Sequence, residues 1–158
     1  MRMRVAKHRA RLGDERGHSM TELLVTMAVI AIISITATIS IFSALPALRA
    51  RWAARDIQDG LNRGRMLALS TRQNMCVEVL ATSYRFRRGT CAGVIWADAL
   101  TDANGVMSVS GNPSLSSTAS PLFTPFGNAT QTGIVTVAVT GSSAQTVTVT
   151  ASGRVTIP

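Results

Sequence analysis

The spacing of hydrophobic and polar positions changes twice along the chain, and each change marks a new element. From Leu23 to Leu48 the chain reads LLVTMAVIAIISITATISIFSALPAL, 26 residues without a charge. As a helix rising 1.5 Å per residue this run covers about 39 Å, enough to cross a bilayer, with the span itself expected at about 23–45. Beyond Pro46, Ala50, Ala54, Ile57, Leu61, Gly64 and Ala68 recur at steps of four and three. That spacing continues the helix to about Arg72 and turns one stripe toward a protein core. Arg55, Asp59 and Arg63 follow one another at steps of four on the other side, a spacing that suits ion pairs on a solvated face. Gly60 and Gly64 each weaken a helix by about 1 kcal/mol relative to alanine, a cost that close approach of another element would offset.

From Met75 onward the period is 2. Cys76 to Leu80 and Tyr84 to Arg88 read as a hairpin, with Tyr84 and Phe86 on one face and Arg85 and Arg87 on the other. Residues 133–140, 145–150 and 154–157 are rich in valine and threonine and are separated by GSSA and ASG, which predicts a closing antiparallel meander. Residues 103–120, mostly glycine, serine, asparagine and small side chains, read as a surface loop. The expected fold class is α+β. A long N-terminal helix, with a membrane half and an amphipathic half, packs on a C-terminal antiparallel β domain, and the boundaries fall at 1–17, 18–72 and 73–158.

Charge and rare residues narrow the chemistry. The formal net charge is +8, and Arg2, Arg4, Lys7, Arg9, Arg11 and Arg16 crowd ahead of the apolar run against Asp14 and Glu15. Basic residues on that side predict a cytoplasmic N-terminus, although Arg49, Arg51 and Arg55 follow the run and reduce the asymmetry. The only two histidines are His8 and His18, so the region beyond the apolar run has no imidazole for a nucleophile-histidine pair or a zinc site. No catalytic residue, metal site or cofactor is expected, and the chain does not read as an enzyme. Cys76 and Cys91 are the only cysteines, which suits a single bridge in an oxidising compartment or two buried thiols. Asp98, Asp102 and Asn104 before Gly105 offer oxygen ligands for calcium, or equally an Asx turn. Arg85, Arg87, Arg88 and Arg154 offer either a phosphate-contacting patch for DNA or an ordinary solvated strand face.

The stretch Gly17-His18-Ser19-Met20-Thr21-Glu22, placed directly ahead of the apolar run, resembles the processing site of type IV pilins and of the pseudopilins of type II secretion. The resemblance implies that a prepilin peptidase cuts between Gly17 and His18 and methylates the new amino terminus at His18. It also implies that Glu22, fifth residue of the mature chain, assists assembly. The family usually has phenylalanine where this chain has His18. Read from its chemistry alone, Glu22 has two roles open to it. A carboxylate beside hydrocarbon needs a cation, and a mature amino terminus of a neighbouring subunit would supply one. Ser19-Met20-Thr21-Glu22 is also a capping box, in which Glu22 satisfies donors at the helix start.

The segments RMLALSTRQN from Arg65 running into CVEVL, then LFTPFG, GIVTVAVT and TVTVTASGRVTIP, narrow the likeness to the GspH/FimT family of minor pilins and pseudopilins. That resemblance implies an inner-membrane subunit with one span and a periplasmic C-terminal domain, which passes into a filament on assembly. Its partners would be the prepilin peptidase, other pilin or pseudopilin subunits, an inner-membrane assembly platform and membrane lipid. A minor type IV pilin, a type II secretion pseudopilin and a DNA-binding competence pilin all fit the motif.

Overall fold

The computed structural model describes residues 19–158, except for the side chains of residues 36–40 and 43. Gly17 and His18, the expected cleavage site, lie outside the described residues. The chain divides into two compact units, residues 1–40 and 41–158.

One helix, α1, runs from Met20 to Thr71. Ser19 caps it: the Glu22 backbone N–H donates to Ser19 Oγ at 3.3 Å, and the Leu23 N–H donates to the Ser19 carbonyl at 3.2 Å. In the first unit the described part is this helix alone. Its side chains from Met20 to Ile35 are all exposed. Among the described residues no helix is long and apolar enough to cross a membrane.

The second unit contains the rest of α1 and ten strands. These are β1 (Met75–Val79), β2 (Ser83–Arg88), β3 (Val94–Trp96), β4 (Val106–Ser108), β5 (Ser114–Ser117), β6 (Leu122–Phe123), β7 (Ala129–Gln131), β8 (Gly133–Ala138), β9 (Gln145–Val149) and β10 (Val155–Thr156). α1 stops where Arg72 takes the left-handed conformation, with φ of 53°. The hydroxyls of Ser70 and Thr71 donate back to the Leu67 carbonyl at 3.2 and 2.7 Å, bonding to the helix's own backbone within its last turn.

The first sheet has the order β3-β2-β1-β6-β7, with β4 sharing an edge of β2, and the second has the order β10-β9-β8-β5. Every pairing is antiparallel. β1 and β2 are the expected hairpin, with Val77 opposite Phe86 and Glu78 opposite Arg85. β8, β9 and β10 are the expected meander. The stretch read as a loop at 103–120 instead contributes β4 and β5. β5 pairs along β8 from Ser114 opposite Ala138 to Ser117 opposite Val135. Its buried Leu115 outweighs a serine-rich composition, because an edge strand needs only one good inward residue and a partner ladder.

One hydrophobic cluster joins the three layers. Ala53, Ala54, Ile57, Leu61 and Ala68 of α1 meet Met75, Val77, Tyr84, Phe86 and Phe123 of the first sheet and Val135, Val137, Val147 and Val149 of the second. The whole predicted stripe of Ala50, Ala54, Ile57, Leu61, Gly64 and Ala68 is buried. Its small residues let the first sheet come close. A methyl group on Gly60 would lie 2.5 Å from Tyr84 Cζ, and one on Gly64 would lie 2.4 Å from Val77 Cγ2.

Candidate functional site

The N-terminal part of α1 carries the first group of candidate residues. Glu22 stands in the first turn, where a carboxylate is favoured by the helix dipole. Behind it Leu23, Leu24, Val25, Met27, Val29, Ile30, Ile32, Ile33 and Ile35 are between 49% and 66% exposed. They point in all directions around the axis, so no face of this segment is polar. A helix that is apolar all round is a helix meant for burial. Its few hydroxyls are turned inward: Thr26 Oγ1 donates to the Leu23 carbonyl at 2.9 Å and Ser34 Oγ to the Ile30 carbonyl at 2.7 Å. Bonding to the helix's own carbonyls leaves these side chains satisfied without water.

The arginines of the first sheet form a different arrangement from the one their spacing suggested. Arg85 Nε and Arg87 Nε both reach Glu78 Oε2 at 2.5 Å, and Arg85 Nη2 reaches Oε1 at 3.2 Å. Hydrogen bonding from Arg85 outweighs the opposing effect of burial and, with Arg87, lowers the Glu78 carboxyl pKa to about 2. Arg87 Nη1 also donates to the Gly93 carbonyl at 2.9 Å. Arg88 lies over the Trp96 ring, 4.6 Å from its centroid, in a cation–π contact. Arg154 is not with them. It precedes β10 in the other sheet, where its carbonyl accepts from the Thr150 N–H at 3.0 Å. A phosphate arriving at Arg85 and Arg87 would have to compete with a carboxylate already held by both. Glu78 could have been found from sequence, because once the hairpin is drawn it stands directly opposite Arg85 and one diagonal from Arg87.

The acidic residues weighed for calcium are also committed within the chain. Asp98 Oδ2 pairs with Arg63 Nη2 at 2.6 Å, and its Oδ1 accepts from the Leu100 N–H at 2.9 Å. The Leu100 N–H, followed by Arg63, lowers the Asp98 pKa. Asp102 Oδ1 accepts from the N–H groups of Asn104 and Val106 at 2.9 and 2.7 Å, which is the Asx turn. Among the described residues no group of three histidine, cysteine or acidic side chains could hold a metal. Arg63 therefore pairs across to the loop after β3, where its spacing on the helix had suggested Asp59. Cys76, fully buried in β1, is joined by a disulfide to Cys91 in the β2–β3 connection, with a Cα–Cα distance of 5.1 Å.

A long helix whose second half packs on an antiparallel β domain is a type IV pilin- or pseudopilin-like fold, and that is the fold of this chain. Two solved proteins share it. The type IV minor pilin FimU of Pseudomonas aeruginosa superposes with a TM-score of 0.52 at 14% identity, over 67% of this chain and 90% of that one. The minor pseudopilin EpsH from the type 2 secretion system of Vibrio cholerae superposes with a TM-score of 0.54 at 12% identity, over 70% of this chain and 96% of that one. No family model matches the sequence, and no curated protein matches it significantly.

Proposed function

We propose that this chain is a minor pilin subunit, held in the bacterial inner membrane and assembled into a type IV pilus or its tip. The observation that carries the reading is the uncovered apolar helix behind Glu22, continuous with an amphipathic half that packs on a pilin-like β domain. Such a helix needs lipid before assembly and neighbouring helices after it, and exchanging the one for the other is what a pilin does. The uncharged run from Leu23 to Leu48 supplies the span at about 23–45. In this reading a prepilin peptidase cuts after Gly17, His18 becomes the methylated amino terminus, and residues 1–17 are a cytoplasmic leader. Glu22 then serves assembly with other subunits on an inner-membrane platform. The protein is not an enzyme in this scheme. A type II secretion pseudopilin is the second reading, favoured by the likeness to EpsH over 70% of the chain. A competence role through DNA contact draws little from the first sheet, where Glu78 occupies two of its three arginines.

The test is intact-mass analysis of the protein from its native membrane, combined with fractionation of sheared filaments. The expected mature chain starts at His18 with one added methyl group and is recovered with filaments. A chain that keeps residues 1–17 in cells with an active prepilin peptidase would overturn the reading. Recovery with a secretion complex and not with pili would select the second reading over the first.

A further inference from the structure

Two arginines just past the apolar run share one cavity. Arg51 and Arg55, one helical turn apart on α1, line a concavity of about 440 Å³ together with Ala54, Gln58, Gln145 and Ile157. Both arginines are exposed, and neither has an ion-pair partner among the described residues. No carboxylate lines the cavity. Gln58 Nε2 donates to the Val155 carbonyl at 3.3 Å, which ties the helix to β10 at this point and keeps the wall in place. Two guanidinium groups that face one concave space without an internal anion make a site for an external one, and their planar forks suit the paired oxygens of a phosphate.

Position selects the source of that phosphate. Arg51 lies six residues beyond the end of the span at about residue 45, about 9 Å along the helix, and Arg55 about 15 Å. A headgroup layer is roughly 5–8 Å deep on each side of the hydrocarbon core. Arginine side chains bend several ångströms toward such a layer. The β8–β9 turn comes down to the same level: a methyl group on Gly141 would lie 3.5 Å from Pro46 Cγ, within the last part of the uncharged run. Trp52, beside Arg51, is 52% exposed although it is a large aromatic residue. An amphipathic ring at that height is the side chain expected at a membrane–water boundary.

We propose that the Arg51–Arg55 cavity binds the phosphate of an anionic phospholipid, and so seats the base of the β domain on the leaflet where the apolar run ends. The inference rests on the membrane-anchored reading given above.

The experiment uses the full chain carrying Trp96→Phe, which leaves Trp52 as the only tryptophan. It is reconstituted in phosphatidylcholine vesicles in which the brominated lipid is either phosphatidylcholine or phosphatidylglycerol. Quenching of Trp52 should favour phosphatidylglycerol by roughly fivefold, the effect of about one basic side chain at an anionic surface. Arg51→Gln/Arg55→Gln should bring the two lipids to parity, while Arg49→Gln keeps most of the preference. Inorganic phosphate, compared with chloride at equal ionic strength, should leave the preference intact. Equal quenching by both lipids in the parent protein would overturn the proposal, as would a loss with Arg49→Gln as complete as with the double variant. Abolition by inorganic phosphate would overturn the lipid assignment in favour of a free-phosphate site. No quenching by either lipid would overturn the membrane anchor and this inference together, whereas quenching without preference overturns this inference alone.

Discussion

At Gly60 and Gly64, α1 gives up helix propensity so that the first sheet can approach. Alanine at either position would recover about 1 kcal/mol of propensity. Against that, the added methyl at Gly64 would meet Val77 Cγ2 at 2.4 Å and Phe86 Cε1 at 3.3 Å, both on fully buried side chains. Overpacking of this kind typically costs about 1–3 kcal/mol, so packing wins over propensity. Gly64→Ala should therefore lower stability by about 1–2 kcal/mol in thermal unfolding of the detergent-solubilised chain. In a Val77→Ala background, where the obstructing methyl is gone, the same substitution should become neutral or stabilising. If Gly64→Ala were stabilising in the parent protein, the two glycines would be tolerated weak points and not packing sites. Glu78 makes a second prediction. Its folded pKa, about 2, lies below the ordinary 4.5, so the stabilisation is fully present above about pH 4.5 and is lost as pH falls toward 2. Its side chain is 25% exposed. Glu78→Gln should cost roughly 1–3 kcal/mol at pH 7. The gap between variant and parent should close between pH 4.5 and 2, and a gap unchanged at pH 2 would assign the loss to packing.

Among the elements, the disulfide and the hairpin constrain each other. Cys76 sits in β1 and Cys91 just past β2, with a sequence separation of 15, so the bridge closes a loop around the hairpin. In the chain-entropy model such a loop contributes about 3 kcal/mol. Denatured, unreduced protein taken from the native membrane should therefore take up no alkylating label, and reduction should lower the unfolding temperature. Two labelled thiols would show that the cysteines are reduced in the cell. The elements legible in the sequence are those with a clear period. The stripe from Ala50 to Ala68 gave the packed half of α1, the alternation around Tyr84 and Phe86 gave β2, and the valine-threonine runs gave β8 and β9. The short strands were not legible, because β5 (Ser114–Ser117) and β7 (Ala129–Gln131) have the composition of loops and owe their ladders to tertiary partners. The candidate residues divide in the same way. Glu22 is readable as a local motif with the helix start beside it. The fates of Arg63 and Asp98, 35 residues apart, depend on how the β3–β4 loop folds back onto α1, and no local spacing encodes that.

For the whole molecule the deciding question is what covers the apolar half of α1, and Glu22 stands at its edge. The two roles open to this carboxylate make different demands on the side chain. The Ser19 cap is present, with the Glu22 N–H on Ser19 Oγ at 3.3 Å, and that bond uses the Glu22 backbone and not its charge. If helix capping is the whole of its role, Glu22→Gln keeps the hydrogen-bonding capacity of the capping box and leaves assembly unchanged. If Glu22 pairs with the amino terminus of a neighbouring subunit among packed apolar helices, loss of the charge strands a cation there, and removing one member of such a pair costs about 3–5 kcal/mol. A cost of that size in an assembly equilibrium is a drop of more than a hundredfold, since each 1.4 kcal/mol is a factor of ten. In the proposed scheme cleavage precedes assembly and falls at a different bond, so Glu22→Gln should be processed normally while its recovery in sheared filaments collapses. Gly17→Leu should do the reverse, blocking the cut and leaving full-length precursor in the membrane. The measurement is a comparison of processed and unprocessed subunit in filament and membrane fractions at matched expression. Equal filament recovery for Glu22→Gln and the parent would leave capping as the sufficient role of Glu22 and remove charge pairing from the assembly mechanism.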